Sequence, residues 1–136
     1  SFYVLVFGHA TDALMIEAGL HSGYRESTGC SLYTVEAHLR YLRDVPEGAH
    51  LAVRTRVLGA AGKKARFTHE MYVVAEAGSE PGADAAPVAT TELLAVHVDR
   101  AAGRAVALPE DVLARFAEFT ERDAPEWAGR SVAAVG

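Results

Sequence analysis

The sequence opens on a largely apolar stretch, FYVLVFGHATDALMIEA, at residues 2–18. Apolar side chains recur there at helical spacing and occupy more than one side of a helix, so we predict a deeply buried helix. Gly19 supplies a natural stop for it. Gly8 lies in its middle and costs about 1 kcal/mol relative to Ala, which predicts that another backbone approaches closely there.

Strand-like segments follow this helix, at residues 31–43, 51–59, 64–76 and 88–99. The first alternates apolar odd positions with polar even positions, as in a sheet with one buried face. The last is apolar on both faces, which predicts a covered central strand. We predict turns at residues 60–63 and 101–104 and a loop at residues 77–87. Pro109 is expected to open a second helix, and Trp127 is expected to anchor the tail that follows it. The order predicts one α+β domain over residues 1–136.

Composition excludes several classes of protein. The chain has 136 residues and a formal charge of −5, so it fits one domain and lacks the basic surplus of a nucleic-acid binder. The single cysteine, Cys30, excludes an internal disulfide framework and suits a reducing compartment, so we expect the cytoplasm. No apolar run reaches membrane-spanning length, and no spacing of ligands predicts a metal site.

Particular runs of residues resemble a known family. Residues 2–14 (FYVLVFGHATDAL) and 33–42 (YTVEAHLRYL) are similar to the central helix and second strand of 4-hydroxybenzoyl-CoA-thioesterase-like proteins, above all the betainyl-CoA thioesterase group associated with carnitine breakdown. Residues 67–71 (FTHEM) and 93–99 (LLAVHVD) resemble later strands. The resemblance, over residues 2–120, implies the hot-dog fold, in which a curved antiparallel sheet wraps a central helix.

The same resemblance implies an acyl-CoA thioesterase without a cofactor that works as a homodimer or homotetramer, joined through an edge strand and with sites between subunits. The family's catalytic motif, Asp-x-x-Gly-His-x-Asn, follows its first strand and precedes the central helix. No residue here inherits that aspartate, so we expect the first strand and the motif ahead of Ser1, or a different mechanism.

Thioester hydrolysis needs a carboxylate and donors for the oxyanion. By resemblance, the helix start at Ser1, Phe2 and Tyr3 is the oxyanion and substrate site. Asp12 is the candidate catalytic carboxylate, because a charge within an apolar helix is costly unless it is paired or used. The alternative is a partly exposed residue, or one bonded to a neighbouring strand.

Glu36 and His38 alternate with Thr34 along the first strand, and we treat them as further catalytic and substrate-binding candidates in an interface cleft. The alternative is a solvated sheet face with ion pairs to Arg54 or Arg56. The other histidines on strands, such as His69 and His97, read as satisfied core or surface groups.

A basic hairpin, Lys63, Lys64 and Arg66, could bind the phosphates of coenzyme A, or could be a solvated turn. An aromatic cage for a trimethylammonium acyl group could come from three tyrosines that are otherwise core residues, Tyr24, Tyr33 and Tyr41. Tyr33 is also a substrate-binding candidate. Rival interpretations are an acyl-CoA hydratase or dehydratase, a non-catalytic acyl-CoA-binding or interaction domain, and a cone-shaped α+β barrel.

Overall fold

The computed structural model describes residues 2–120. Within this range the elements, numbered in chain order, are α1 (Phe2–Glu17), α2 (Ser22–Thr28), β1 (Cys30–Tyr41), β2 (His50–Ala61), β3 (Lys64–Val74), β4 (Ala89–Asp99), β5 (Arg104–Ala105) and α3 (Glu110–Thr120). The predicted α+β class and the predicted order of helix, strands and helix are confirmed.

The described strands form one antiparallel sheet in the spatial order β1-β4-β3-β2, with the short β5 paired to β4. β4 lies between β1 and β3 and is buried along most of its length, which confirms the predicted central strand. Among the described strands β1 pairs on one side only, so it forms an edge of this sheet.

The core lies between α1 and the sheet and consists of two clusters. Around the carboxyl-terminal half of α1, Leu14 packs in one cluster with Phe67 of β3 and Phe116 of α3. Around the amino-terminal half, Phe7 packs with Met71 of β3. The sheet therefore supports the helix along its length and sets the position of both its ends.

The opposite side of α1 faces away from the sheet. Val4 is 59% exposed, and Leu5 and Ile16 are each 62% exposed. The prediction of burial on several sides is wrong for a single chain, because one sheet covers only one face of a helix. The close backbone approach predicted at Gly8 is also wrong, since a Cβ added there would meet no atom within 4 Å.

The predicted stop of α1 is confirmed. Gly19 has a φ of 94°. Its N–H donates to the Ile16 carbonyl at 3.1 Å, and the Leu20 N–H donates to the Met15 carbonyl at 2.8 Å. These two bonds make a Schellman motif, which satisfies carbonyls that the helix end leaves without partners.

Helix α2 was not predicted, because its sequence SGYREST carries no apolar repeat. Its ends explain it: the His21 side chain accepts a hydrogen bond from the Tyr24 N–H at 3.2 Å, and Gly29 closes the helix with a φ of 72°. Residues 77–87 are irregular, as predicted. Trp127 and Ser1 lie outside the described residues.

Candidate active site

A groove runs between α1 and β1, and we call it the β1 groove. Its volume is about 460 Å³, and apolar side chains such as Phe7, Leu32 and Leu93 form most of its wall. Asp12 is the only ionisable side chain among the described residues that line it. The groove therefore combines an apolar wall with a single carboxylate.

Asp12 lies on a side of α1 that the sheet leaves uncovered, so it is exposed in the single chain. The premise of a carboxylate buried among apolar groups is therefore wrong. Three threonines, Thr11, Thr34 and Thr91, line the same groove. The carboxylate is open to a substrate or a water molecule that enters there.

A second groove, the β2 groove, lies on the other side of α1 and has a volume of about 490 Å³. Between the two grooves, His69 of β3 is fully buried beneath the helix. Its Nε2 lies 2.8 Å from the hydroxyl of Thr11, a residue that lines the β1 groove. Its Nδ1 lies 2.7 Å from the hydroxyl of Thr55, a residue that lines the β2 groove. The imidazole thus links α1 to β2.

The hydrogen-bond partners assign the tautomer of His69. The Thr11 hydroxyl donates to the Phe7 carbonyl at 3.1 Å, so it accepts from Nε2–H of the imidazole, and the Thr55 hydroxyl donates to Nδ1. Burial lowers the pKa of His69 to about 4, which keeps the ring neutral near pH 7. The sequence predicts a satisfied core or surface group at His69, and the structure places it in the core. Its position between Phe67 and Met71 on the apolar face of its strand predicts that it is buried, but not that two threonines are its partners.

The strand β1 contains a bulge, because its register with β4 shifts between Thr34 and Glu36. Thr34 and Ala37 line the β1 groove, so Glu36 and His38 project from the outer face of the sheet. The prediction that Glu36 and His38 share a face with Thr34 is wrong, because the extra residue reverses the alternation. Both lie away from the groove and its carboxylate.

The outer face of the sheet carries ion pairs of its own. Arg56 Nε lies 3.1 Å from Glu70 Oε1, and Arg66 Nε lies 3.9 Å from Glu92 Oε1. The alternative interpretation, in which the side chains of β1 pair with arginines of β2, is wrong because β4 and β3 lie between those strands.

The basic hairpin forms as predicted between β2 and β3, with Lys63 and Lys64 exposed at its tip. Arg66 does not join them, because it points to the outer face of the sheet and pairs with Glu92. The two lysines remain a prediction for phosphate binding.

The three tyrosines of the predicted cage are not brought together. The Tyr24 hydroxyl lies 2.7 Å from His97 Nε2, and His97 Nδ1 lies 3.1 Å from the Val106 carbonyl, to which its N–H donates. Tyr33 is 41% exposed on the outer face of β1. Tyr41 instead contacts Tyr3 at the start of α1, with ring centroids 4.8 Å apart. That contact could not be read from residues so distant along the chain.

Residues 2–120 contain no group of three or more His, Cys, Asp or Glu side chains placed to hold a metal ion. No helix in this part of the chain has the length and hydropathy needed to span a membrane.

A family model described as the thioesterase-like superfamily matches residues 1–116. The chain belongs to that superfamily. As a member of the thioesterase-like superfamily it is a thioester hydrolase, which confirms the reaction class predicted from the sequence.

Curated relatives of this superfamily member are similar over nearly its whole length. A betainyl-CoA thioesterase of Pseudomonas aeruginosa is 38% identical over 97% of this chain and 80% of its own length. An L-carnitine dehydrogenase/betainyl-CoA thioesterase of Agrobacterium fabrum is also 38% identical, over 98% of this chain, but the chain spans only 26% of that longer protein.

Solved structures confirm the hot-dog fold of the superfamily. A Staphylococcus aureus protein in complex with CoA has a TM-score of 0.80 and 20% identity, covering 98% of this chain and 81% of the other. A Pseudomonas putida protein assigned as a thioesterase has a TM-score of 0.72 and 29% identity, covering 99% and 83%.

Proposed function

We propose that this chain hydrolyses the thioester of a short acyl-CoA, and that acyl groups bearing a trimethylammonium are its preferred class. The names of the two 38%-identical relatives support this choice of substrate. The lone Cys30 supports a reducing compartment such as the cytoplasm.

The observation that carries the proposal is the β1 groove, in which Asp12 is the one carboxylate among the lining residues that the structure describes. A carboxylate beside a thioester either attacks the carbonyl carbon or removes a proton from an attacking water. An acyl group seated against the apolar wall displaces water from that wall, which strengthens electrostatic interactions at the reacting atoms.

The start of α1 supplies the second requirement, because the positive end of a helix stabilises a developing oxyanion. Phe2 and Asp12 are ten residues apart, however, which is about 15 Å along a helix axis. Within one chain, a single thioester carbonyl therefore cannot contact both the start of α1 and the Asp12 carboxylate. A site that uses both therefore needs α1 of a second copy, and we propose a homodimer or homotetramer.

The test follows free thiol while the full-length protein is incubated with a panel of acyl-CoAs, including betainyl-CoA. Hydrolysis of at least one member is expected. A change in enoyl absorbance without thiol release would replace the proposal with a hydratase or dehydratase, and binding without either reaction would indicate a non-catalytic domain.

Asp12→Asn is expected to lower kcat by about 100-fold or more, because general-base contributions are of that size. Glu17→Gln is the matched control, since Glu17 is also an exposed carboxylate of α1 but lines the β2 groove. A variant Asp12→Asn with the kcat of the wild type would remove Asp12 from the mechanism and assign the carboxylate to another residue.

A further inference from the structure

The amino-terminal end of α1 carries a row of three aromatic rings. Phe2 and Tyr3 meet with centroids 5.6 Å apart and planes at 75°, and Tyr3 and Tyr41 meet at 4.8 Å and 76°. Phe2 is 52% exposed and Tyr41 58% exposed. We call Tyr3 and Tyr41 the aromatic corner, because their rings meet edge to face at close to a right angle.

The aromatic corner forms one wall of a cavity of about 430 Å³, which is completed by Leu42, Arg43 and Asp44. The charged groups of that wall are one cation and one anion. Because these two charges offset each other, the ring faces decide which ligand the cavity favours.

The corner is held in place from both sides. Tyr3 packs against the core cluster that contains Phe7 and Val88. The N–H groups of Leu42 and Arg43 both donate to the Val88 carbonyl, at 2.9 Å and 3.1 Å, and fix the chain directly after Tyr41. The Tyr3 ring and the backbone that carries Tyr41 are therefore positioned before a ligand arrives, which lowers the entropic cost of binding.

We propose that the aromatic corner binds the trimethylammonium group of the acyl substrate; this rests on the proposed function. A quaternary ammonium has no N–H to donate, so polar side chains recognise it poorly, whereas ring faces attract it through their quadrupoles. A cation seated in a corner of two perpendicular rings lies within about 6 Å of both centroids, the range of cation–π attraction. The Asp44 carboxylate attracts such a cation and the Arg43 guanidinium repels it, so the two rings carry the selectivity.

The position of the corner also agrees with the reaction. In a betainyl group a single methylene separates the quaternary nitrogen from the thioester carbonyl. A cation held against Tyr3 therefore places that carbonyl beside the first turn of α1, where the helix dipole favours the oxyanion. Binding of the ammonium and stabilisation of the transition state occur at the same end of the helix.

The experiment compares betainyl-CoA with 3,3-dimethylbutanoyl-CoA, whose tert-butyl group has the shape of trimethylammonium without its charge. The wild type is expected to show a kcat/KM at least tenfold higher for the cationic substrate. Tyr41→Leu is expected to lower that ratio by roughly three- to thirtyfold, the effect of losing one ring from a partly desolvated cation. The kcat/KM for the neutral substrate should change less than threefold.

Tyr33→Leu is the matched control, because Tyr33 lies on the same strand but on the outer face of the sheet. Its substrate ratio should equal that of the wild type. Two charge variants should change the ratio of kcat/KM for the cationic over the neutral substrate in opposite directions. Asp44→Asn removes an attractive charge and should lower it, whereas Arg43→Gln removes a repulsive charge and should raise it.

The outcomes separate the two proposals. No thiol release from either substrate overturns the proposed function, and the aromatic corner with it. Hydrolysis of both substrates with a ratio near one, or a ratio that Tyr41→Leu leaves unchanged, overturns the aromatic corner alone and leaves the thioesterase in place.

Discussion

His69 shows how a single residue makes the stability of this protein depend on pH. The ring is neutral and fully buried, between a helix hydroxyl and a strand hydroxyl. Its pKa is lowered by burial to about 4, from 6.5 for an exposed imidazole. Between pH 6.5 and pH 4 the unfolded chain therefore binds more protons at this site than the folded chain does.

The stability contributed by neutral His69 is complete above pH 6.5 and is lost as the pH falls towards 4. The two pKa values correspond to a loss on the order of 3 kcal/mol in the free energy of unfolding. Urea unfolding of the wild type and of His69→Gln between pH 4 and pH 8 measures it: the variant should show a smaller slope in that window. The exposed His38→Gln should keep the slope of the wild type, and equal slopes for all three proteins would contradict the assignment.

At the scale of the element, two glycines have opposite roles for α1: Gly8 lies in its middle, and Gly19 lies just beyond its end. Gly8 has helical geometry and empty space around it, whereas Gly19 has a φ of 94° and would place a Cβ 2.5 Å from Arg115 Nη1. The same substitution should therefore have opposite signs at the two positions.

Gly8→Ala is expected to stabilise the protein by about 1 kcal/mol, because Ala loses less backbone entropy in a helix. Gly19→Ala is expected to destabilise it by about 1–2 kcal/mol, because an L side chain is strained in the left-handed region. Urea denaturation of both variants checks the signs. Stabilisation by Gly19→Ala would exclude the Schellman stop as a determinant of stability.

At the scale of the whole molecule, large apolar side chains are exposed on α1 and on the edge strand β1. Val4 of α1 borders the β1 groove and is 59% exposed, and Val35 at the bulge of the edge strand β1 is also 59% exposed. Exposed apolar groups beside an unpaired strand edge are typical of a surface that another chain covers.

Val4→Glu and Val35→Glu are each expected to halve the molar mass measured by light scattering, because a buried charge opposes association. Ala102→Glu, in the exposed turn after β4, introduces the same charge away from this surface and should leave the mass unchanged. A monomeric wild type, or dimers that survive both substitutions, would contradict the proposed association.

Local sequence was enough for α1, its glycine stop, the four long strands and the start of α3, because apolar periodicity and turn chemistry act over a few residues. The short α2 escaped this reasoning because its stability comes from its caps and from the hydrogen bond between Tyr24 and His97. The resemblance of residues 2–14 and 33–42 to a known family also predicted a thioesterase, which the family model confirms.

Tertiary structure alone decided which of the candidate residues meet. One bulged residue moved Glu36 and His38 to the outer face, and strand order kept them from the arginines of β2. Folding also joined Tyr3 to Tyr41 and placed His69 between two threonines. These outcomes depend on pairing and register between segments distant along the chain, and a one-residue shift in register exchanges the faces of a strand without altering its local pattern.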